Sequence, residues 1–260
     1  MTAPEELPSG SRVVGDLHLD VERPEHVAGF VSWLEGLGDC PRLVLLGDVF
    51  EYWIGMAQAR SAGGRTVLGA LRERTAGGTR VDVLHGNRDF LLDGRFEAAT
   101  GARVHADGLG ATSPGGQRIG FLHGDELCTL DHAYQRLRRV LRSGPLTFTA
   151  RRLPGFVGEA VARRIRRASR RAVAAKPGPT KAQQPGAVRA ELDRRALDVL
   201  VVGHAHRYRD EAVSGGGRWI VVDGFGGPRD CVRVDDAGAL VVEGSGARFD
   251  PPPETGAAGP

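Results

Sequence analysis

Two short motifs each place a pair of polar side chains two residues apart. Asp16 and His18 stand in "GDLH", and His204 and His206 stand in "GHAH". On extended backbone, side chains two residues apart leave the strand on the same face, so each motif predicts two convergent ligands. Carboxylate and imidazole groups bind divalent transition metals. The motifs therefore predict a metal site and metal-assisted chemistry.

Three more polar residues follow short apolar runs. Asp48 follows "RLVLLG", Asn87 follows "VDVLHG", and His123 follows "RIGFL". With the two motifs they make seven candidate ligands of three donor types and no thiolate, a set that suits manganese, iron or zinc. Seven ligands are too many for one ion. We therefore predict two divalent ions, with manganese expected and Asp48 as the bridging ligand.

Each of these signals is weak when it stands alone. A Gly-Asp pair after a strand is usually a turn, and a single histidine is usually a core or surface residue. We interpret His26, His105 and His132 in that way. Five such motifs in one chain favour a shared site.

The elements that must position these ligands are short runs rich in Val, Leu and Ile, which fit buried strands. Helix-length segments at residues 24–37 and 65–76 separate the first three runs, which predicts strand–helix–strand units and a partly parallel sheet. After Arg207 the pattern changes to short strands and glycine turns, which predicts antiparallel hairpins. If the ligand-bearing strands are neighbours, their side chains converge at one sheet edge.

Residues 131–196 have a different character and predict an insertion of basic amphipathic helices. The stretch "GPLTFTARRLPGF" should break the helix, and "AKPGPTKAQQPGA" should be a mobile loop. Between Arg136 and Lys181 the chain has fourteen Lys and Arg and one acidic residue, a net charge of +13, whereas the rest carries −10. Apolar residues recur at helical spacing at Tyr134, Leu137, Val140 and Leu141, and again at Val157, Val161 and Ile165.

The predicted organisation is a core of residues 1–130 and 197–248, the helical insertion at 131–196, and a disordered tail at 249–260. The apolar runs are too short to span a membrane and the N-terminus lacks a signal-peptide pattern, so we expect a cytoplasmic protein. The three cysteines predict neither a disulfide framework nor a thiolate zinc site.

The blocks "GDLH", "GDVFEYW", "GNRD", "HGD" and "GHAH" resemble the five signature blocks of the calcineurin-like metallophosphoesterases. The resemblance implies a two-metal phosphoester hydrolase with a four-layer α/β/β/α sandwich. It also implies that Asn87 is a metal ligand and that Arg88 reaches the substrate phosphate. Asn87, Arg88 and His204 would stabilise the charge that develops in the transition state.

The stretches "HGNRDFLLDGRF" and "HGDELCT" and the basic insertion are more similar to the UDP-2,3-diacylglucosamine diphosphatase family of lipid A synthesis. This resemblance implies cleavage of a lipid-linked UDP-sugar to UMP and 2,3-diacylglucosamine 1-phosphate (lipid X). It implies a helical lid over the acyl chains and peripheral attachment to the anionic cytoplasmic face of the inner membrane. The implied substrate-binding residues are Asn87, Arg88, Asp131, Arg166, Ser169, Lys176 and His204.

The sequence departs from the family at three places that bear on substrate specificity. Met56, Ala57 and Gln58 stand where acidic residues usually follow "YWIG", and Val173 replaces a polar lid residue. The stretch "VVDGFGGPRD" follows the family pattern only loosely. These departures concern fine specificity and leave the seven predicted ligands intact.

Two other functions are compatible with the residues. One is a metallophosphodiesterase acting on other nucleotides or on nucleic acid, whose phosphates the basic insertion would bind. Against it, the insertion interleaves arginines with aliphatic residues, which suits a lipid surface better than nucleic acid, so we expect no nucleic-acid partner. The other is a binding scaffold with a decayed metal site, which the seven intact ligands disfavour.

Overall fold

The computed structural model describes residues 5–150 and 182–247, together with Arg152, Val157, Ala160, Arg164 and Thr180. The predicted substrate-binding residues Arg166, Ser169 and Lys176 lie outside the described residues. So do Val173 and the predicted tail at 249–260.

Twelve strands in the described ranges form two six-stranded sheets. The strands are β1 (Glu5–Glu6), β2 (Arg12–Val14), β3 (Arg42–Leu45), β4 (Arg80–Leu84), β5 (Arg103–His105), β6 (Leu109–Thr112), β7 (Arg118–Leu122), β8 (Val199–Val202), β9 (Arg209–Ala212), β10 (Arg218–Val221), β11 (Cys231–Val234) and β12 (Leu240–Glu243).

Both sheets combine parallel and antiparallel pairs. The first has the order β12-β11-β2-β3-β4-β5, in which β2 to β5 are parallel. The second has the order β1-β6-β7-β8-β10-β9, in which β7, β8 and β10 are parallel. The antiparallel pairs β9–β10 and β11–β12 confirm the two predicted hairpins.

Six helices occur in the same part of the chain. They are α1 (Pro24–Glu35), α2 (Ala62–Ala76), α3 (Gly94–Thr100), α4 (His132–Leu141), α5 (Gly144–Ala150) and α6 (Pro185–Arg195). Helices α1 and α2 confirm the two predicted helical segments, with ends shifted by two or three residues. Proline opens α1 and the Ser61 hydroxyl caps α2 by accepting a hydrogen bond from Gly64 N, as expected at helix N-termini.

Successive side chains of each strand point to opposite faces of the sheet, and this divides the core into layers. In β3, Val44 joins the cluster between the two sheets, whereas Leu43 and Leu45 face helices α1 to α3. On the opposite side, Leu200 and Val202 of β8 pack with buried residues of α6. The order of layers is therefore helix, sheet, sheet, helix, and the predicted α/β/β/α sandwich is confirmed. None of the helices among the described residues is long and apolar enough to cross a membrane.

Two local predictions within the insertion were partly wrong. Helix α4 ends at Leu141, so the predicted interruption occurs, but residues 144–150 of the stretch form a separate helix, α5, because Pro145 near a helix start costs no hydrogen bond. The end of the predicted mobile loop is also ordered, since Gln183 is buried and α6 begins at Pro185. Helix α6 lies within the range of the predicted insertion, yet its Val188 and Leu192 belong to a core cluster.

A buried ion pair joins β3 to β4. Arg42, only 1% exposed, donates from Nε to Asp82 Oδ2 at 2.7 Å and from Nη1 to the Glu6 carbonyl oxygen at 2.6 Å. Burial alone would raise the pKa of Asp82, but the hydrogen bond from His105 and the charges of Arg42 and Arg80 lower it to about 2. Asp82 therefore stabilises the fold as a carboxylate.

Replacing Asp82 by Asn should remove the buried carboxylate beside Arg42, leaving the partly exposed Glu5 at 3.4 Å, and lower the free energy of unfolding by about 3 kcal/mol. Because the pKa is lowered on folding, the difference from wild type should be full above about pH 5 and shrink as pH falls towards 2. Urea unfolding at several pH values measures the loss in the free energy of unfolding and its dependence on pH. Asp198→Asn, in an exposed pair with Arg118, should cost about 0–1 kcal/mol. Equal losses for the two variants would contradict the assigned role of the buried pair.

Candidate metal centre

The seven predicted ligands lie in five loops that directly follow strands. Asp16, Asp48 and Asn87 come after β2, β3 and β4, which are neighbours in the first sheet. His123 comes after β7 and the "GHAH" pair after β8, which are neighbours in the second. The side chains therefore meet across the two sheets, and not along the edge of a single sheet as the sequence predicted.

Glycine allows these loops to approach closely. A Cβ added to Gly86 would lie 2.1 Å from Asp48 Oδ1, and one added to Gly203 would lie 2.5 Å from Asp16 Oδ2. No side chain fits at either position. Gly86 precedes Asn87 and Gly203 precedes His204. The close approach at these two positions explains why each polar residue follows a glycine.

The backbone at five of the ligands is left-handed. Asp16, His18, Asp48, His204 and His206 have φ between 48° and 67°, and Ala196 is the only other non-glycine residue in the described ranges with positive φ. Such conformations are strained for non-glycine residues and concentrate at functional sites. The prediction of extended backbone at the two motifs was therefore wrong. The side chains of Asp16 and His18 nevertheless converge, whereas His204 and His206 face different groups of predicted ligands.

The first group of ligands is formed by Asp16, His18 and His206. His206 Nε2 lies 3.3 Å from Asp16 Oδ1 and 3.2 Å from His18 Nε2. Asp16 is 1% exposed, and its Oδ2 accepts a hydrogen bond from His204 N at 2.7 Å, whereas Oδ1 has no hydrogen-bond donor. A buried carboxylate oxygen without a donor, beside two imidazole nitrogens, fits a cation.

The second group is formed by Asp48, Asn87, His123 and His204. Asn87 Oδ1 lies 2.9 Å from His123 Nε2 and 3.1 Å from His204 Nδ1. Asp48 Oδ2 lies 3.7 Å from His123 Nε2 and 4.0 Å from His18 Nδ1, so it stands between the two groups. The structure thus brings together all seven residues that the sequence singled out.

The donor set fits divalent ions. Ligand atoms of Asp16, His18 and His206, and likewise of Asp16, Asp48 and His123, lie within 4.8 Å of one another. Asp16 belongs to both sets, while Asp48 lies between the two groups. The assignment of Asp48 as the bridging ligand stays a prediction.

Electrostatics keeps Asp16 and His204 in the protonation states that bind metal. Burial would raise the pKa of Asp16, but His206, His123 and His18 hold it well below its usual range. Burial lowers the pKa of His204 to about 4, and the His123 charge adds to the effect. A carboxylate and a neutral imidazole are the forms that coordinate a metal ion.

A second layer of groups orients the ligands. His123 Nδ1 lies 3.0 Å from the Leu46 carbonyl oxygen, which leaves its Nε2 facing Asn87. The buried carboxylate of Asp89 accepts hydrogen bonds from the backbone N–H groups of Val49 at 2.7 Å and Gly86 at 2.8 Å. It thereby fixes the loops after β3 and β4 to each other. No role was predicted for Asp89 from the sequence, although it stands in the quoted block "GNRD".

Arg88 lies beside the second group. Its Nε is 3.3 Å from Asp48 Oδ2, its Nη1 donates to Glu51 Oε2 at 2.5 Å, and 35% of its side chain is exposed. A planar guanidinium at the rim of a metal cluster can reach a phosphate group. Glu51 was missed in the sequence, although it stands in the block "GDVFEYW".

Asp125, which is fully buried, joins helix α4 to the loops that carry the predicted ligands. Its Oδ2 accepts from the Tyr134 hydroxyl at 2.5 Å and from Arg138 Nε at 2.7 Å. Arg142 donates to the Gly86 carbonyl oxygen at 2.9 Å. Two of the basic residues that the sequence assigned to an anionic partner therefore bind the core of the protein.

Two more residues connect the insertion to the site. Asp131, a predicted substrate-binding residue, is 8% exposed and caps α4 by accepting a hydrogen bond from Tyr134 N at 3.0 Å. Gln183 donates from Nε2 to the carbonyl oxygen of Gly203 at 3.0 Å and contacts that of Gly124 at 3.3 Å. It thus ties together the loops of His123 and His204. Its position in a proline-rich stretch gave no sequence signal.

Comparison with known proteins identifies the family. No protein-family model matches the chain. A UDP-2,3-diacylglucosamine hydrolase of Pseudomonas syringae pathovar tomato is 35% identical over 196 residues, which are 75% of this chain and 78% of the relative. The chain belongs to the UDP-2,3-diacylglucosamine hydrolase family. The enzyme of that name from Pseudomonas paraeruginosa is 35% identical over 201 residues, or 77% of this chain and 83% of the relative.

Solved structures are more distant than these relatives of the UDP-2,3-diacylglucosamine hydrolase family. A dimetal phosphatase from Danio rerio is 14% identical and has a TM-score of 0.45, with 91% of this chain and 97% of that chain covered. Vps29 of Entamoeba histolytica with bound zinc is 13% identical and has a TM-score of 0.40, with 90% and 96% covered.

Replacing Gly86 by Ala should displace Asp48 and remove bound metal, because the new methyl group would occupy the position of the carboxylate oxygen. If the cluster binds manganese as predicted, the manganese content after dialysis, measured by mass spectrometry, should fall to well under half of the wild-type value. Gly69→Ala is the matched control, since its Cβ meets nothing within 4 Å and alanine favours the α2 helix. Wild-type manganese content in Gly86→Ala would show that the close approach does not position the ligand.

Proposed function

We propose that the protein hydrolyses the pyrophosphate of UDP-2,3-diacylglucosamine to UMP and 2,3-diacylglucosamine 1-phosphate, using two manganese ions. The main support for the proposal is the cluster of seven predicted ligands with Arg88 at its rim, in a chain that belongs to this family. A carboxylate, amide and imidazole cluster beside a guanidinium suits a phosphoester substrate.

Asp16, His18, Asp48, Asn87, His123, His204 and His206 would hold the ions. Bound divalent ions supply Lewis acidity, which polarises a phosphoryl oxygen and lowers the pKa of an attacking water. Residues of the chain bind and orient the substrate. Arg88 binds the phosphate through its forked donors, and the 35% of its side chain that is exposed faces the solvent from which substrate arrives. Asn87 and His204, which are in contact, add stabilisation of the negative charge that develops at phosphorus.

A surface with several exposed apolar side chains supports the proposal that the substrate carries a lipid. The large apolar side chains that are well exposed in the described part of the chain all lie between residues 130 and 148: Leu130, Leu137, Val140, Leu146 and Phe148. Scattered apolar residues are ordinary on a protein surface, but a concentration in one segment marks a binding surface. Because this segment is joined to Gly86 by Arg142, acyl chains bound here would lie close to the metal cluster.

The same surface supports attachment to a membrane. Apolar side chains on α4 and α5 stand among arginines, a combination that binds the boundary between anionic head groups and acyl chains. We propose that the protein works at the cytoplasmic face of the inner membrane, where its lipid substrate lies. Arg166, Ser169 and Lys176 remain proposed substrate-binding residues, together with Asp131.

Turnover of UDP-2,3-diacylglucosamine with manganese in water labelled with heavy oxygen tests the reaction. We expect UMP and the lipid 1-phosphate, with the label in UMP, because attack at the uridine-side phosphorus leaves the lipid phosphate as the departing group. Protein treated with chelator should give no product. Label in the lipid would place the attack at the other phosphorus. Absence of turnover with manganese present would refute the proposed function.

Val140→Asp and Phe148→Asp test the lipid surface. Each should raise the KM for the lipid substrate about tenfold or more, because it places a charge where an acyl chain would bind. Hydrolysis of bis-p-nitrophenyl phosphate, which has no acyl chain, should stay unchanged. Binding to phosphatidylglycerol vesicles should weaken as well. Ala28→Asp, at an exposed position of α1, is the control for the added charge. Equal effects on both substrates would contradict a role in lipid binding.

A further inference from the structure

Glu51 is a buried carboxylate that has no assigned role in the proposed hydrolysis. It follows Asp48 by three residues in "GDVFEYW", and only 4% of its side chain is exposed. Its backbone N–H donates to the Leu19 carbonyl oxygen at 3.0 Å, and Leu19 and Phe50 form a parallel β-bridge. The loop that carries Glu51 is therefore fixed to the loop that carries His18.

A single oxygen of Glu51 contacts two functional side chains. Oε2 accepts a hydrogen bond from Arg88 Nη1 at 2.5 Å and lies 3.6 Å from His18 Nδ1. The other ring nitrogen of His18 faces His206 and the first group of ligands. Glu51 thus stands behind a predicted metal ligand and beside the predicted phosphate-binding residue.

Glu51 Oε2 faces His18 Nδ1 at 3.6 Å, an ion-pair distance that is longer than a hydrogen bond, and this nitrogen has no hydrogen-bond partner among the described residues. The carboxylate thus lies on the side of the ring where a partner usually stands behind a metal-bound imidazole. A carboxylate that takes the proton-bearing nitrogen fixes the ring orientation and makes the opposite nitrogen a better ligand. Loss of such a partner typically weakens metal binding about 10–100-fold.

The contact with Arg88 has a different consequence. Arg88 Nε already lies 3.3 Å from Asp48 Oδ2. Without Glu51, the guanidinium would be left with the Asp48 carboxylate as its nearest acidic partner, and this carboxylate is a predicted metal ligand. Arg88 would then compete with the metal for Asp48 and turn away from the substrate phosphate.

We infer that Glu51 is a positioning residue that couples the two halves of the site, holding His18 for the metal and Arg88 for the phosphate. The inference rests on the proposed metal-dependent hydrolysis. It does not depend on the identity of the lipid substrate. Neither manganese binding nor bis-p-nitrophenyl phosphate hydrolysis requires that lipid, so failure of the substrate assignment would leave this test intact.

The test compares Glu51→Gln, Arg88→Ala and the double variant. Titration calorimetry with manganese should show affinity about 10–100-fold weaker for Glu51→Gln, and within about twofold of wild type for Arg88→Ala. At saturating manganese, Glu51→Gln should still lower kcat/KM for bis-p-nitrophenyl phosphate. Adding Arg88→Ala should then cost much less than it costs in wild type, because the two residues act as a unit.

Thermal unfolding of each variant separates these effects from misfolding, and Glu97→Gln is the matched control. Glu97 also accepts a hydrogen bond, from Val104 N at 2.7 Å, but belongs to α3 outside the site. If Glu51→Gln does not fold, Glu51→Asp retains the charge with a shorter reach and should still weaken manganese binding. Either of two results would overturn the inference. One is wild-type manganese affinity in folded Glu51→Gln. The other is a kcat/KM for the double variant that falls by the product of the two single-variant losses.

Discussion

The site depends on bringing buried carboxylates from several loops close together without leaving their charges unbalanced. Asp16 and Asp48 are almost fully buried, and each is approached by backbone at a distance that excludes any side chain, at Gly203 and Gly86 respectively. Isolated buried carboxylates would be too costly to keep ionised. Imidazoles, backbone N–H groups and Arg88 surround them in the protein alone. Divalent ions would complete the balance, and the left-handed backbone at five ligands is consistent with a loop geometry held for that purpose.

The fold supplies the rigidity that such loops require. Parallel strands in both sheets end at the cluster, so each predicted ligand stands one to four residues after a hydrogen-bonded strand. Asp89 joins the loops after β3 and β4, and Gln183 joins those after β7 and β8. Through Asp125 and Arg142 the first helix of the insertion is fixed to the same loops. The surface proposed to bind lipid and the cluster proposed to cleave the pyrophosphate are therefore mechanically connected.

Much of this arrangement can be predicted from the sequence because its signals are local. Short Val- and Leu-rich runs followed by polar residues identified the five strands that precede the predicted ligands, and glycine-rich turns identified the hairpins, whereas β1, β5 and β6 were not predicted. The supporting residues Glu51 and Asp89 stand in recognised blocks and Gln183 in a proline-rich stretch, but nothing local to these positions indicates what they contact. Their function arises only from contacts between segments distant in the chain, such as Glu51 with Arg88 or Gln183 with Gly203. The extended backbone expected at Asp16 and His18 was wrong for a related reason, since tertiary packing imposes their strained conformation.

The seven residues are predicted to bind two divalent ions that share Asp48, and the number of ions bound per chain tests this prediction most directly. Manganese content should be measured by mass spectrometry on dialysed wild type, Asp48→Asn and His206→Ala, with unfolding curves to verify that each variant is folded. Two ions per chain in wild type, about one in His206→Ala and fewer than one in Asp48→Asn are the predicted result. Two ions retained by folded Asp48→Asn would contradict the claim.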